Sequence, residues 1–91
     1  MNFAPGDVFV VATLPRKNSK GLILFIEDTM EATRVRRGEQ LIYVGPHETG
    51  DLLFLVGGLL IRAPYDIFKH IITYAQWAYK QQVLAVLNAR K

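Results

Sequence analysis

The 91-residue chain contains no cysteine, which excludes disulfides, thiolate zinc sites, iron–sulfur ligation and thiol nucleophiles together. Long hydrophobic runs are also missing. The longest, Leu52 to Ile61, is interrupted by Gly57-Gly58, whereas a membrane-spanning helix needs about 20 apolar residues. Residues Met1 to Asp7 lack a basic stretch followed by an apolar one, so they do not read as a signal peptide and a cytoplasmic location is expected. Neither sign of charge dominates: 11 Lys and Arg stand against 8 Asp and Glu, for a net +3. That balance permits an acidic partner without demanding one.

What is present is apolar. Hydrophobic residues make up 51% of the chain and charged residues 21%, too apolar for disorder, so a packed fold is expected. The length allows one domain, spanning 1–91, with a β-barrel over 5–62 and a C-terminal helix over 64–89. A domain this small has much surface for its volume, so its surplus apolar residues are expected to meet another chain.

Pro5-Gly6-Asp7 is a turn signal, and the β-branched and aromatic run Val8 to Leu14 reads as a strand stopped by Pro15. A polar loop from Arg16 to Gly21 leads to a second strand, Leu22 to Ile26, and the two are expected to form a hairpin with a basic tip. Ala32 to Arg37 and Gln40 to Val44, joined through Gly38-Glu39, read as a second hairpin. Leu52 to Val56 and Leu59 to Arg62 flank Gly57-Gly58, a pair suited to a two-residue turn. From Pro64 the period changes: Ile67, Phe68, Ile71, Ile72, Ala75, Ala78, Tyr79, Val83, Val86 and Leu87 recur at helical spacing. Pro64 and Asp66 supply a helix start, so one amphipathic helix of up to about 25 residues is expected. The fold class is mainly β with a long C-terminal helix, α+β: a five- or six-stranded antiparallel barrel followed by that helix.

Function is read from faces. A sheet with one wet face alternates apolar and polar residues, and these strands do not: Val8, Val10 and Ala12 oppose Phe9 and Val11, and Leu52, Phe54 and Val56 oppose Leu53 and Leu55. Both faces want burial, and one helix covers only part of the outer one. The helix, at 1.5 Å per residue, is also longer than the strands. Its far half carries Trp77, Tyr79, Val83, Leu84 and Leu87, residue types suited to a protein interface. A self-contact is the simplest form, because twofold pairing needs no second protein.

Two basic patches compete for attention. Arg16, Lys17 and Lys20 share a loop, and Arg34, Arg36 and Arg37 lie on or beside one strand, the arrangement by which small barrels hold phosphate backbones. An aromatic platform for bases would come from Phe9, Phe25 or Tyr43. The alternative role for these charges is to keep strand edges soluble. His47 with Glu48 and Asp51 is the one place where a histidine and two carboxylates cluster in sequence, but a glycine-bounded polar loop explains it. His70 with Asp66 at i−4 reads as a surface pair. Gly57-Gly58 lacks the following lysine and serine or threonine of a phosphate loop.

Pro5-Gly6-Asp7 before an apolar strand, the basic loop closed by Gly21 and the short hairpins resemble the opening of an SH3-like barrel. The plan is similar to the KOW-type modules of transcription and translation factors over residues 5 to 44, with Thr13-Leu14-Pro15 standing where a KOW loop has its early glycine. This likeness is one of fold plan and implies no functional residue. The expectation is a small non-enzymatic accessory protein that dimerises or docks onto a larger assembly, with nucleic acid as the alternative partner. No cofactor, metal, membrane or small-molecule substrate is indicated.

Overall fold

Alternation within the strands, rather than their overall apolarity, decides which side chains form the core. The computed structural model describes residues 3–90. Its strands are β1 (Val8–Val11), β2 (Leu22–Ile26), β3 (Ala32–Val35), β4 (Gln40–Pro46), β5 (Leu52–Val56), β6 (Leu59–Ala63) and β7 (Ile71–Thr73), followed by helix α1 (Tyr74–Ala89). They form one curled antiparallel sheet, a half-barrel, in the order β3-β2-β6-β5-β4-β1-β7. Phe9, Leu24, Leu41, Phe54 and Ile61 point into the curl and are buried, with Phe9 and Tyr43 packed edge-on to Phe54 at 6.2 and 5.6 Å between ring centroids. The 3-10 helix Tyr65–Lys69 closes one side of this core with Ile67.

The fold class is thus α+β as expected, but with seven strands rather than five or six. The pairing also differs. β1 does not pair with β2, and β3 does not pair with β4: β1 lies between β4 and β7, and β2 between β3 and β6. The hairpins are β2–β3, β4–β5 and β5–β6. Length separates β1 from β2, because the ten residues between them allow a crossover in place of a turn. Gly21, at the end of that crossover, runs so close to β3 that a Cβ there would lie 2.6 Å from Arg34 Cγ and 2.7 Å from Val35 O. Only the β5–β6 turn is a two-residue one, with Gly57 at φ 57° and Gly58 at φ 83°, the doubly left-handed geometry of a tight hairpin that disfavours side chains at both positions.

The helix expected over 64–89 is three elements. Pro64 precedes the 3-10 helix, and Ile71-Ile72-Thr73 pairs with β1 as an edge strand, Ile71 opposite Val11 and Ile72 opposite Val10. Three consecutive β-branched residues favour a strand over a helix. Thr73 then caps α1: its hydroxyl accepts the Gln76 N–H at 3.2 Å, and Gln76 Oε1 accepts the Thr73 N–H at 3.1 Å. This reciprocal pair satisfies two donors that a helix start leaves free. No residue of α1 is buried. Its main contacts with the sheet are to β1 and β7. There Val10, on the face opposite the core, is 1% exposed.

Phe54→Ala removes the centre of the core and is expected to lower unfolding free energy by about 3–5 kcal/mol, measured by chemical denaturation.

Candidate interaction surfaces

The register of the sheet sets apolar side chains in rows on its outer face. Val8 stands opposite Ile42, Ile42 opposite Leu55 and Leu55 opposite Leu60, one row across β1, β4, β5 and β6. Phe25 on β2 and Leu53 on β5 flank Arg62 in the next row. Ile23, Phe25, Ile42 and Leu55 are all exposed, Ile23 by 53% and Phe25 by 44%. The absence of polar alternation therefore has a structural outcome: the inner face is closed and the outer face is apolar and open.

Helix α1 presents a second apolar surface. Tyr79, Val83, Leu84 and Leu87 are exposed, Tyr79 by 67%. The five residues Val83-Leu84-Ala85-Val86-Leu87 are apolar in succession, and at about 100° per residue they surround the helix rather than line one side of it. The amphipathic pattern expected here is therefore lost over the last turns. Trp77 differs from the other four interface candidates. It is half-buried, with the Arg37 guanidinium 5.8 Å from its ring centroid and Gly38 beneath its edge, so part of its surface is already used within the chain.

Three of the six basic residues are brought together. The turn between β3 and β4 is tied to the end of β1, Gly38 N–H donating to Val11 O at 2.9 Å and Val11 N–H to Glu39 O at 3.1 Å. Arg37 Nε donates to Ala12 O at 3.1 Å, and Arg37, Arg16 and Lys17 line one concavity of about 300 Å³. Arg34 lies over Gly21, the residue that follows Lys20 in sequence. Arg36 is exposed, its backbone N–H donating to Glu39 Oε1 at 3.0 Å. Of the three aromatics considered as a base platform, Phe9 and Tyr43 are buried in the core and unavailable, and Phe25 belongs to the outer apolar face. The aromatic beside the basic cluster is Trp77.

Sequence reasoning missed an ionic cluster at a corner of the outer face. Arg62 donates two hydrogen bonds to Glu27, Nε to Oε2 and Nη2 to Oε1, both 2.7 Å. His47 Nε2 lies 3.3 Å from Glu27 Oε1 and 3.0 Å from Arg62 Nη2. Glu27 and Arg62 are 35 residues apart, a separation at which no local spacing signals contact. The His47 ring thus faces Glu27 and Arg62 rather than Glu48; its backbone N–H donates to Asp51 O at 2.7 Å, and the Asp51 carboxylate is linked to the ring through Thr49 Oγ1. His70 makes no ion pair with Asp66; it sits half-buried after the 3-10 helix, its Nδ1 without a partner among the described residues. No three His, Cys, Asp or Glu side chains among the described residues converge to hold a metal.

No family model, curated protein or solved structure matches this chain. No described helix is long and apolar enough to cross a membrane. Three surfaces distinguish the described chain: the apolar outer face, the exposed helix and the basic cluster.

The Arg62 bidentate bond, assisted by the charge of Arg62 and by His47, holds the Glu27 carboxyl below the usual carboxylate range. A group depressed on folding stabilises the protein above its unfolded pKa and loses that contribution as pH falls through its folded pKa. Stability is thus expected to drop below about pH 4, and Glu27→Gln is expected to lower stability at neutral pH while flattening that acid limb. Denaturation midpoints at pH 7 and below pH 4 check both signs; an unchanged acid slope would remove Glu27 from the titration.

Proposed function

We propose that this protein is a small non-enzymatic protein–protein interaction module, which dimerises or docks onto a larger assembly through α1 and the apolar outer face of its sheet. The observation that carries this reading is that α1 contains five consecutive apolar residues and buries none of them. Helices apolar on all sides are stable in water only when covered, and exposed apolar surface on a small domain marks an interaction site. An SH3-like plan for the scaffold is part of the proposal, supported by the curl of the antiparallel sheet. Such a scaffold needs no catalytic group; it needs a rigid face and a projecting arm.

Val83→Glu combined with Leu87→Glu is expected to abolish association, with itself or with a partner, while leaving the thermal melting of the β-domain within a few degrees of the parent. Light scattering and chemical crosslinking check the first part and circular dichroism the second. Association unaltered by these charges would remove the module reading.

A nucleic-acid-binding reading is favoured by one observation of its own, the convergence of Arg16, Lys17 and Arg37 on one concavity, with Trp77 beside Arg37. If this surface takes single strands, the logarithm of affinity falls linearly with that of salt, with a slope of about −0.7 per neutralised phosphate. Arg16→Glu with Lys17→Glu, on an exposed loop, is then expected to weaken binding of a fluorescent oligonucleotide at least about tenfold and to flatten that slope. A salt-independent signal would remove the reading.

A further inference from the structure

The concavity between the start of the β1–β2 crossover and the β3–β4 turn gathers charge of one sign. Residues 12–17 and Arg37 line it; Arg16, Lys17 and Arg37 are cations, and no lining residue carries a carboxylate. None of these cations makes an ion pair among the described residues. Glu39, the one carboxylate of the turn 36–39, accepts the Arg36 N–H at 3.0 Å and does not line the concavity. Like charges gathered in this way repel one another, and a cleft of one sign concentrates ligands of the other.

The walls are held in place by the fold itself. Ala12 N–H and Thr13 N–H both donate to His70 O, at 2.8 and 3.1 Å. Arg16 and Ser19 close a turn, Arg16 N–H donating to Ser19 Oγ at 3.1 Å and Ser19 N–H to Arg16 O at 3.0 Å. Arg37 is positioned by its Nε bond to Ala12 O and by the Trp77 ring. Its two Nη groups have no partner among the described residues. A guanidinium fixed at Nε keeps those donors for an anion, in the planar geometry that suits phosphate oxygens.

Size and charge select the anion. A volume of about 300 Å³ lies at the lower end of small-ligand sites, which suits one charged group and not a tract of backbone. Lys20, Arg34 and Arg36 do not line it, so its cations surround one hollow. A phosphodiester brings a single negative charge, whereas a terminal phosphate carries about −1.5 to −2 at pH 7 and three strong acceptor oxygens. The terminal group is the better match to three cations.

We propose that this concavity is a site for one terminal phosphate group, by which a single strand is held at its phosphorylated end, with Arg16, Lys17 and the Nη groups of Arg37 taking the phosphate. This rests on the nucleic-acid reading and specifies which part of the strand is recognised. Trp77, half-buried beside Arg37, offers an aromatic surface to the base next to that phosphate.

The test compares single-stranded oligonucleotides of one sequence and one internal dye, with a 5′-phosphate, a 3′-phosphate or hydroxyls at both ends, by fluorescence anisotropy. One phosphorylated form is expected to bind at least about tenfold tighter than the unphosphorylated strand. Sodium phosphate should displace it where sodium chloride of equal ionic strength does not. Arg16→Gln and Lys17→Gln remove side chains that make no hydrogen bond within the described fold. Each should cut the preference for the phosphorylated end to about twofold or less, with melting unchanged from the parent. Equal binding of all strands, with a salt slope of several phosphates, would overturn end capture and leave the nucleic-acid reading standing, since the backbone is then the ligand. Inorganic phosphate bound in phosphorus NMR while no strand binds would overturn end capture and the nucleic-acid reading together. A phosphoserine peptide bound in preference to the phosphorylated strand would do the same, and so would a failure of every probe to bind.

Discussion

Strand β1 is the constraint on which the rest of the structure depends. Phe9 and Val11 face the core while Val10, between them, is buried on the opposite side where α1 begins. β4 and β7 take its two edges, and its end is hydrogen-bonded to the turn that follows β3. Burial on both faces is what parallel-sheet strands show and antiparallel ones usually do not. It arises here because the β7 pairing brings the chain back alongside β1 before the helix starts. Without that pairing α1 would have neither a fixed origin nor a fixed direction.

From that origin the surfaces sort themselves. The core closes inside the curl, so the second apolar set of β2, β4 and β5 faces outward, and α1 packs mainly over β1 and β7. The β3–β4 turn, tied to β1, carries Arg37 to the loop that holds Arg16 and Lys17. The same turn supports Trp77. The start of the helix arm and the basic cluster are therefore neighbours, joined at Arg37. The Glu27–Arg62–His47 cluster stays apart, fastening the end of β2 to β6 and to the loop after β4.

A good part of this was legible beforehand. The strand β5–Gly57-Gly58–β6 is readable because tight-turn chemistry is local. The surplus of apolar residues on both strand faces was legible as a pattern, and so was the overhang of the C-terminal helix, with Tyr79, Val83, Leu84 and Leu87 left exposed. The helix start was misplaced because Ile67, Ile71 and Ile72 fit a helical period as well as they fit a core turn and an edge strand. The signal that would have placed it was there: three β-branched residues in a row, then Thr73 and Gln76 at capping-box spacing.

The sequence by itself determined the class of the protein, the positions of most strands and the presence of more apolar surface than one small domain can hide, since these follow from propensity, turn chemistry and surface-to-volume ratio. Only the tertiary structure decided which strands pair, which of two equally apolar faces became the core, and where Glu27 meets Arg62 and Arg37 meets Arg16. Those outcomes depend on contacts between residues far apart in the chain. Their energies exist only once the sheet has curled and excluded water from one side.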